Sequence, residues 1–243
     1  MSIRVLVNGA AGRMGQTTVK FIHADKTLDL IGETHGKDDL KKSILAAKAD
    51  IVIDFTNAAV VYENTKNIIL AGAHPVIGTS GLLPEQIQEL QNLCAEKSLG
   101  GIIAPSFCIG ALLMMRFAEK AAQYFSECEI IETHHENKLD APSATAIKTA
   151  ELINSARKKQ PSPKKIHETL VGARGAVKDQ ISIHALRLPG FLSKQDVIFG
   201  HLGGNLVIAH ETIDRNAFMP GVLLACNKVM SLKKLVYGLE TFL

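Results

Sequence analysis

The chain is expected to be an α/β protein of two parts: a doubly wound parallel sheet and a smaller α+β portion with a mixed or antiparallel sheet. Three features lead there. Short apolar runs alternate with helical stretches from the start to about Tyr124. A glycine-spaced turn follows the first of those runs. Beyond Glu127, strand-like runs follow one another with few helices between them.

Ile3-Arg4-Val5-Leu6-Val7 reads as a short strand, and Gly9, Gly12 and Gly15 then fall in a G-x-x-G-x-x-G spacing. A helical pattern through Val19, Phe21 and Ile22 follows. Strand, glycine turn and helix together make the motif a candidate dinucleotide site. Glycines permit a tight turn and close approach of a pyrophosphate, and the helix start supplies N–H donors. The second strand runs Leu28 to Thr34, with a tip reading Glu33-Thr34-His35-Gly36-Lys37. Glu33 could take an adenosine ribose, while His35 and Lys37 could favour a 2′-phosphate, so both NADPH and NADH are expected cofactors.

Further along, Asp50 to Phe55 reads as a buried strand and Ala58 to Ala71 as a helix. Pro75 to Ile77 is a strand, and Pro84 opens a helix with Ile87, Leu90 and Leu93 or Cys94 on its apolar face. Gly101 to Ala104 is the next strand, and an apolar helix runs from Gly110 to about Tyr124 with Met114 and Met115 in the core. Ligands of doubly wound sheets bind at the carboxyl ends of the strands. Asp54-Phe55-Thr56, Gly78-Thr79-Ser80-Gly81 and Ala104-Pro105-Ser106-Phe107 all fall at such ends. Glu127 to Glu132 is a strand, Ala144 to Ala156 a helix with Ser143 as N-cap, and three strand-like runs lie near 181–187, 196–199 and 206–210. Phe218 to Lys233 reads as a helix that returns to the first part.

Composition narrows the function. At 47% hydrophobic and 21% charged, the chain can bury a sizeable core. A net charge of +3 is too mild for a nucleic-acid binder. The basic patch Arg157-Lys158-Lys159 with Lys164-Lys165, split by Pro-Ser-Pro, reads as a solvated loop. Met1-Ser2-Ile3-Arg4 leads straight into a strand, so no signal peptide is expected. No apolar run approaches the roughly 18 residues of a membrane span. Cys94, Cys108, Cys128 and Cys226 are widely spaced, as expected of free thiols in a cytoplasmic protein.

Thr133 to Ala146 carries the densest chemistry: T-H-H-E-N-K-L-D-A-P-S-A-T-A. His134, His135 and Lys138 place three potential cations just ahead of a helix start, where backbone N–H groups attract anions. That layout suits a small carboxylate substrate that must receive a proton. Metal binding is not expected, because neighbours on a strand point to opposite faces and no third ligand is evident.

E-T-H-H-E-N-K-L-D-A-P-S-A-T-A closely resembles the motif of the 4-hydroxy-tetrahydrodipicolinate reductase (dihydrodipicolinate reductase) family of lysine and diaminopimelate biosynthesis. The resemblance includes G-A-A-G-R-M-G, D-F-T at 54–56, G-T-S-G at 78–81, A-P-S-F at 104–107, V-G-A-R-G at 171–175, I-H-A-L-R at 183–187 and D-R-N-A-F-M-P-G-V at 214–222. It implies a Rossmann-type dinucleotide-binding domain from residues 1–106 and 216–243, and a substrate-binding and oligomerisation domain from residues 107–215, commonly as a homotetramer. It implies NAD(P)H-dependent reduction of a small cyclic dicarboxylate. His134 would be the catalytic acid/base and Lys138 the proton donor. His135 would help bind the substrate, and Ser143, Ala144 and Thr145 would cradle one carboxylate. Gly9, Ala10, Gly12, Arg13, Met14 and Gly15 would face the pyrophosphate, Thr34 and His35 the ribose. Phe55, Gly78, Thr79, Ala104 and Phe107 would lie along the nicotinamide side. Three departures stand out: Ala144 where the family usually has glycine, His35 near the family's acidic ribose position, and Leu188-Pro189-Gly190-Phe191 in place of a more glycine-rich turn. Two other readings are a different Rossmann oxidoreductase of a small amino or keto acid, and a non-catalytic nucleotide sensor.

Overall fold

A computed structural model describes residues 2–161 and 167–243. Lys164 and Lys165 of the basic stretch lie outside the described residues. The chain divides into two compact units, one running up to Phe107 and resuming at Phe218–Phe242, the other comprising Cys108–Ala217 with Leu243.

The first unit is a six-stranded parallel sheet clad by helices. Its strands are β1 (Ile3–Asn8), β2 (Leu28–Thr34), β3 (Ile51–Asp54), β4 (His74–Ile77), β5 (Gly101–Ile103) and β11 (Leu235–Tyr237), in the order β11-β5-β4-β3-β1-β2. Helices α1 (Arg13–Ala24), α2 (Leu40–Ala47), α3 (Val61–Leu70) and α4 (Pro84–Glu96) connect successive strands, as parallel pairing demands. Strand β3 is buried along its whole length, which explains why it reads as a continuous apolar run and not as an alternation. Leu6, Val52, Ile68, Ile69, Ile77 and Leu90 form one contiguous cluster with neighbours on both strands and helices. Ile87 and Leu93 of α4 pack against that cluster, as the predicted apolar face requires. Strand order reverses between β1 and β3, which places the ligand crevice of such a sheet beside Asn8 and Asp54.

The tail differs from expectation. Helix α7 (Met219–Val229) stops short of Lys233. The amides of Ser231 and Leu232 turn back on the carbonyls of Lys228 and Val229, and β11 then pairs with β5. Helix α2, capped by the Asp39 side chain accepting from the Lys42 amide at 3.0 Å, was likewise not expected.

The second unit holds a five-stranded mixed sheet in the order β10-β9-β6-β8-β7. The strands are β6 (Glu127–His134), β7 (Ala176–Lys178), β8 (Ile181–Arg187), β9 (Ser193–His201) and β10 (Gly204–Thr212). Only β6 and β8 run parallel; the other pairs are antiparallel. Helices α5 (Ile109–Ala122) and α6 (Ala144–Ala156) pack on each other and bury Met114, Met115, Ala146, Ala150 and Ile153. All four cysteines are free and buried.

Candidate active site

Two sets of predicted residues gather, one in each unit. In the first unit the glycine turn joins β1 to α1. Gly9 has φ +81°, and a Cβ there would come within 2.5 Å of the Phe55 carbonyl oxygen. A Cβ on Gly15 would lie 2.2 Å from the Gly9 carbonyl oxygen, so the helix can sit this close to the turn only as glycine. Gly12 caps α1 in an extended conformation without a side-chain partner. The amides of Gly9 and Ala10 donate to the Thr34 carbonyl, at 3.0 and 3.2 Å, and that of Gly12 donates to Gly9 at 3.0 Å. Helix geometry leaves the first-turn amides of Arg13, Met14 and Gly15 without an intrahelical acceptor. Open N–H groups of this kind at a helix start attract anions, which is what the sequence leads one to expect of this turn.

Behind the turn lies a polar network that joins the carboxyl ends of four strands. Asp54, fully buried, accepts from Asn8 Nδ2 at 2.7 Å, Asn64 Nδ2 at 3.0 Å, Thr79 Oγ1 at 2.6 Å, and the Thr56 amide and hydroxyl at 3.1 and 2.7 Å. Thr34 Oγ1 donates to Asn8 Oδ1 at 2.8 Å. The Thr34 and Thr79 side chains are thus committed inward. Gly78 abuts Phe55 and Phe107: a Cβ would fall 2.2 Å from the Phe55 ring and 2.8 Å from the Phe107 ring. Those rings meet edge to face at 5.7 Å. Ala104 is buried, its amide on the Ile77 carbonyl, while His35 is exposed with its amide on Asp38 Oδ2 at 2.6 Å.

In the second unit, β6 delivers His134 at its last position. Glu132, two residues earlier, shares that face of the strand. Its carboxylate is wholly buried and takes His134 Nδ1 at 2.5 Å, both terminal nitrogens of Arg187 at 2.9 and 3.0 Å, and the Ser143 amide at 3.1 Å. Burial opposes its ionised form. The hydrogen bonds from His134 and Arg187, with the Arg187 charge, outweigh that and hold the Glu132 carboxyl below its ordinary range. Lys138 Nζ donates to both oxygens of Asp140, at 2.7 and 2.9 Å, and Arg187 Nη2 reaches the Asp140 carbonyl at 2.7 Å. His134 and Lys138 are both partly shielded, their side chains 17% and 20% exposed. His135 is half-buried just past the strand end.

Ser143 caps α6, its hydroxyl oxygen accepting from the Ala146 amide at 3.2 Å. Ala144 opens the helix and is not among the positive-φ residues, so the methyl group in place of the family's glycine sits in unstrained backbone. Thr145 follows in the same first turn, half-buried. His134, Lys138 and the Ser143–Thr145 helix start therefore belong to one locality. Glu132 and Arg187 were not singled out from the sequence. The signal was present in I-H-A-L-R and E-T-H-H, yet 55 residues separate them, and only the β6–β8 register sets His134 opposite Arg187.

Parallel sheet, glycine turn and a separate cation-bearing mixed sheet define a Rossmann-fold oxidoreductase. The comparisons narrow that class. The family description "Dihydrodipicolinate reductase, N-terminus" matches residues 3–107, and "Dihydrodipicolinate reductase, C-terminus" matches residues 110–243. The chain belongs to the dihydrodipicolinate reductase family. It is 53% identical to a 4-hydroxy-tetrahydrodipicolinate reductase of Legionella pneumophila and 50% identical to one of Coxiella burnetii, each over the full length of both chains. A solved structure titled "Dipicolinate bound Dihydrodipicolinate reductase" from Paenisporosarcina sp. TG-14 is similar at 41% identity and TM-score 0.83, with both chains wholly covered. An amine dehydrogenase from Mycobacterium smegmatis, at 11% identity and TM-score 0.67, shares the fold alone. Full-length matches of this kind leave the two other sequence readings unsupported.

Proposed function

We propose that the chain catalyses NAD(P)H-dependent reduction of 4-hydroxy-tetrahydrodipicolinate to tetrahydrodipicolinate, a step of lysine and diaminopimelate synthesis. The observation that carries this reading is the convergence of His134, Lys138 and the capped start of α6 in one unit. One substrate carboxylate is held by the Ser143, Ala144 and Thr145 turn through helix-start N–H groups and hydroxyls. Lys138 adds charge to that grip, and His135 a polar side chain beside it. His134 and Lys138 supply the proton that balances the hydride, and the 4-hydroxyl leaves as water, so one hydride and one proton are consumed for each water released. The domain formed by residues up to Phe107 and by Phe218–Phe242 binds the dinucleotide, and Cys108–Ala217 binds substrate and other protomers.

The glycine turn fits a dinucleotide because added Cβ atoms would fill the space at Gly9 and Gly15. Arg13, Met14 and Gly15 offer amides to the pyrophosphate. Bound NAD(P)H supplies the hydride. Gly78 leaves room for the edge-to-face pair of Phe55 and Phe107 beside Thr79 and Ala104, an apolar wall suited to the nicotinamide. At the β2 tip an exposed Glu33 stands with exposed His35 and Lys37, so the site accepts the 2′-hydroxyl of NADH and the 2′-phosphate of NADPH. Among the described residues no helix is long and apolar enough to cross a membrane. With its four reduced thiols this supports a cytoplasmic place. A homotetramer is the expected assembly, supported by the nine-residue edge strand β10 with exposed Val207.

The deciding test is spectrophotometric. Nicotinamide oxidation should require freshly generated 4-hydroxy-tetrahydrodipicolinate and should proceed with either NADH or NADPH. Oxidation that ignores the substrate, or none at all, would overturn the reading.

A further inference from the structure

We propose that Glu132 is a positioning residue that serves two parts of the site at once: it fixes the tautomer of His134 and anchors the start of α6. This rests on the roles given above to His134 and to the Ser143–Thr145 turn. The chemistry follows from counting donors. An ionised carboxylate offers about four lone-pair positions. Oε2 receives His134 Nδ1 and Arg187 Nη1; Oε1 receives Arg187 Nη2 and the Ser143 amide. Every position is taken by a donor, so the carboxyl has no room for a proton of its own. An acceptor-only Oε2 requires Nδ1 of His134 to carry hydrogen. Nε2 is then the nitrogen that gives and takes the catalytic proton.

Arg187 completes the device. Its charge balances that of Glu132, so the imidazole faces a neutral pair and not a bare anion. Arg187 also holds the Asp140 carbonyl, while the Asp140 carboxylate holds Lys138. A chain of contacts therefore runs from Lys138 through Asp140 and Arg187 to Glu132, and from there to His134 and Ser143. Acid, base and carboxylate cradle are set by one buried group on β6.

Two measurements test this. In ¹⁵N-histidine NMR of the full chain without ligands, the His134 resonances, assigned by their loss in His134→Asn, should show the neutral ring protonated at Nδ1. In Glu132→Gln, which keeps shape and removes charge, that preference should weaken. The kcat should fall by roughly 10²-fold, the lower end of a lost general acid. KM for the substrate should rise several-fold through the loosened helix start, while the dissociation constant for NADPH should stay within about twofold. A wild-type His134 protonated at Nε2 overturns the proposal, and so does a Glu132→Gln enzyme with unchanged kcat and spectrum. Should that variant fail to fold, the wild-type spectrum still decides. If the wild type shows the Nδ1–H tautomer but no reductase activity, the positioning of the imidazole stands and the proposed reaction falls.

Discussion

Lys138 carries the sharpest residue-level expectation. Its ammonium rests on both oxygens of Asp140, which orients it without burying it. Lys138→Ala should lower kcat by roughly 10²–10⁴-fold, the range for a general acid, with NADPH affinity nearly unchanged. Steady-state kinetics beside a nucleotide titration checks this; an equal loss of nucleotide affinity would make the residue structural. Gly78 gives the opposite pattern. Alanine there must displace the Phe55 or Phe107 ring, because its Cβ would overlap both. Gly78→Ala should therefore weaken nucleotide binding at least tenfold, read by fluorescence titration, and leave the His134 locality untouched. At this level residue type was informative: two histidines and a lysine within five positions announce themselves. Glu132 did not, because a carboxylate on a strand reads as a solvated face until the fold surrounds it with donors.

At the level of elements, the start of α6 is the most testable. Ser143 accepts from the Ala146 amide, and its own amide is held by Glu132. Removing the hydroxyl in Ser143→Ala should cost about 1 kcal/mol, the usual loss of an N-cap, and should raise KM more than it lowers kcat. Chemical denaturation and substrate kinetics on the same sample would show both. Long periodic elements could be read from sequence because their period survives several turns: α4 shows its apolar face, and β8 to β10 show the alternation of a half-exposed sheet. The three-residue strand β5 was read, because it falls within the strand–helix alternation, whereas β7 and β11, of the same length, were not. Their strand state is set by the neighbour they pair with, not by their own composition.

Across the molecule, carboxylates held below their ordinary range govern the response to acid. Glu132 is opposed by burial but held by His134 and Arg187; Glu129 is opposed by burial but held by His184 and Arg174; Asp50 is held by Arg4. A carboxyl whose folded value is depressed contributes stability that is present above its unfolded value, about 4, and disappears as pH falls through the folded one. Thermal midpoints should therefore hold from pH 7 to about 5 and drop below about 4. Glu132→Gln should flatten that drop; a parallel acid response in variant and wild type would remove Glu132 from its cause.

The two passages of chain that build the six-stranded sheet are separated by the whole of the second unit. During translation, Phe218–Phe242 emerges from the ribosome only after the mixed sheet is complete. Strand β5 therefore waits with a bare edge until β11 arrives. The middle unit can finish folding first, and the nucleotide half cannot close before it. A nascent chain stalled with Lys228 at the exit port should already protect the mixed sheet from protease while its nucleotide half remains open to cleavage.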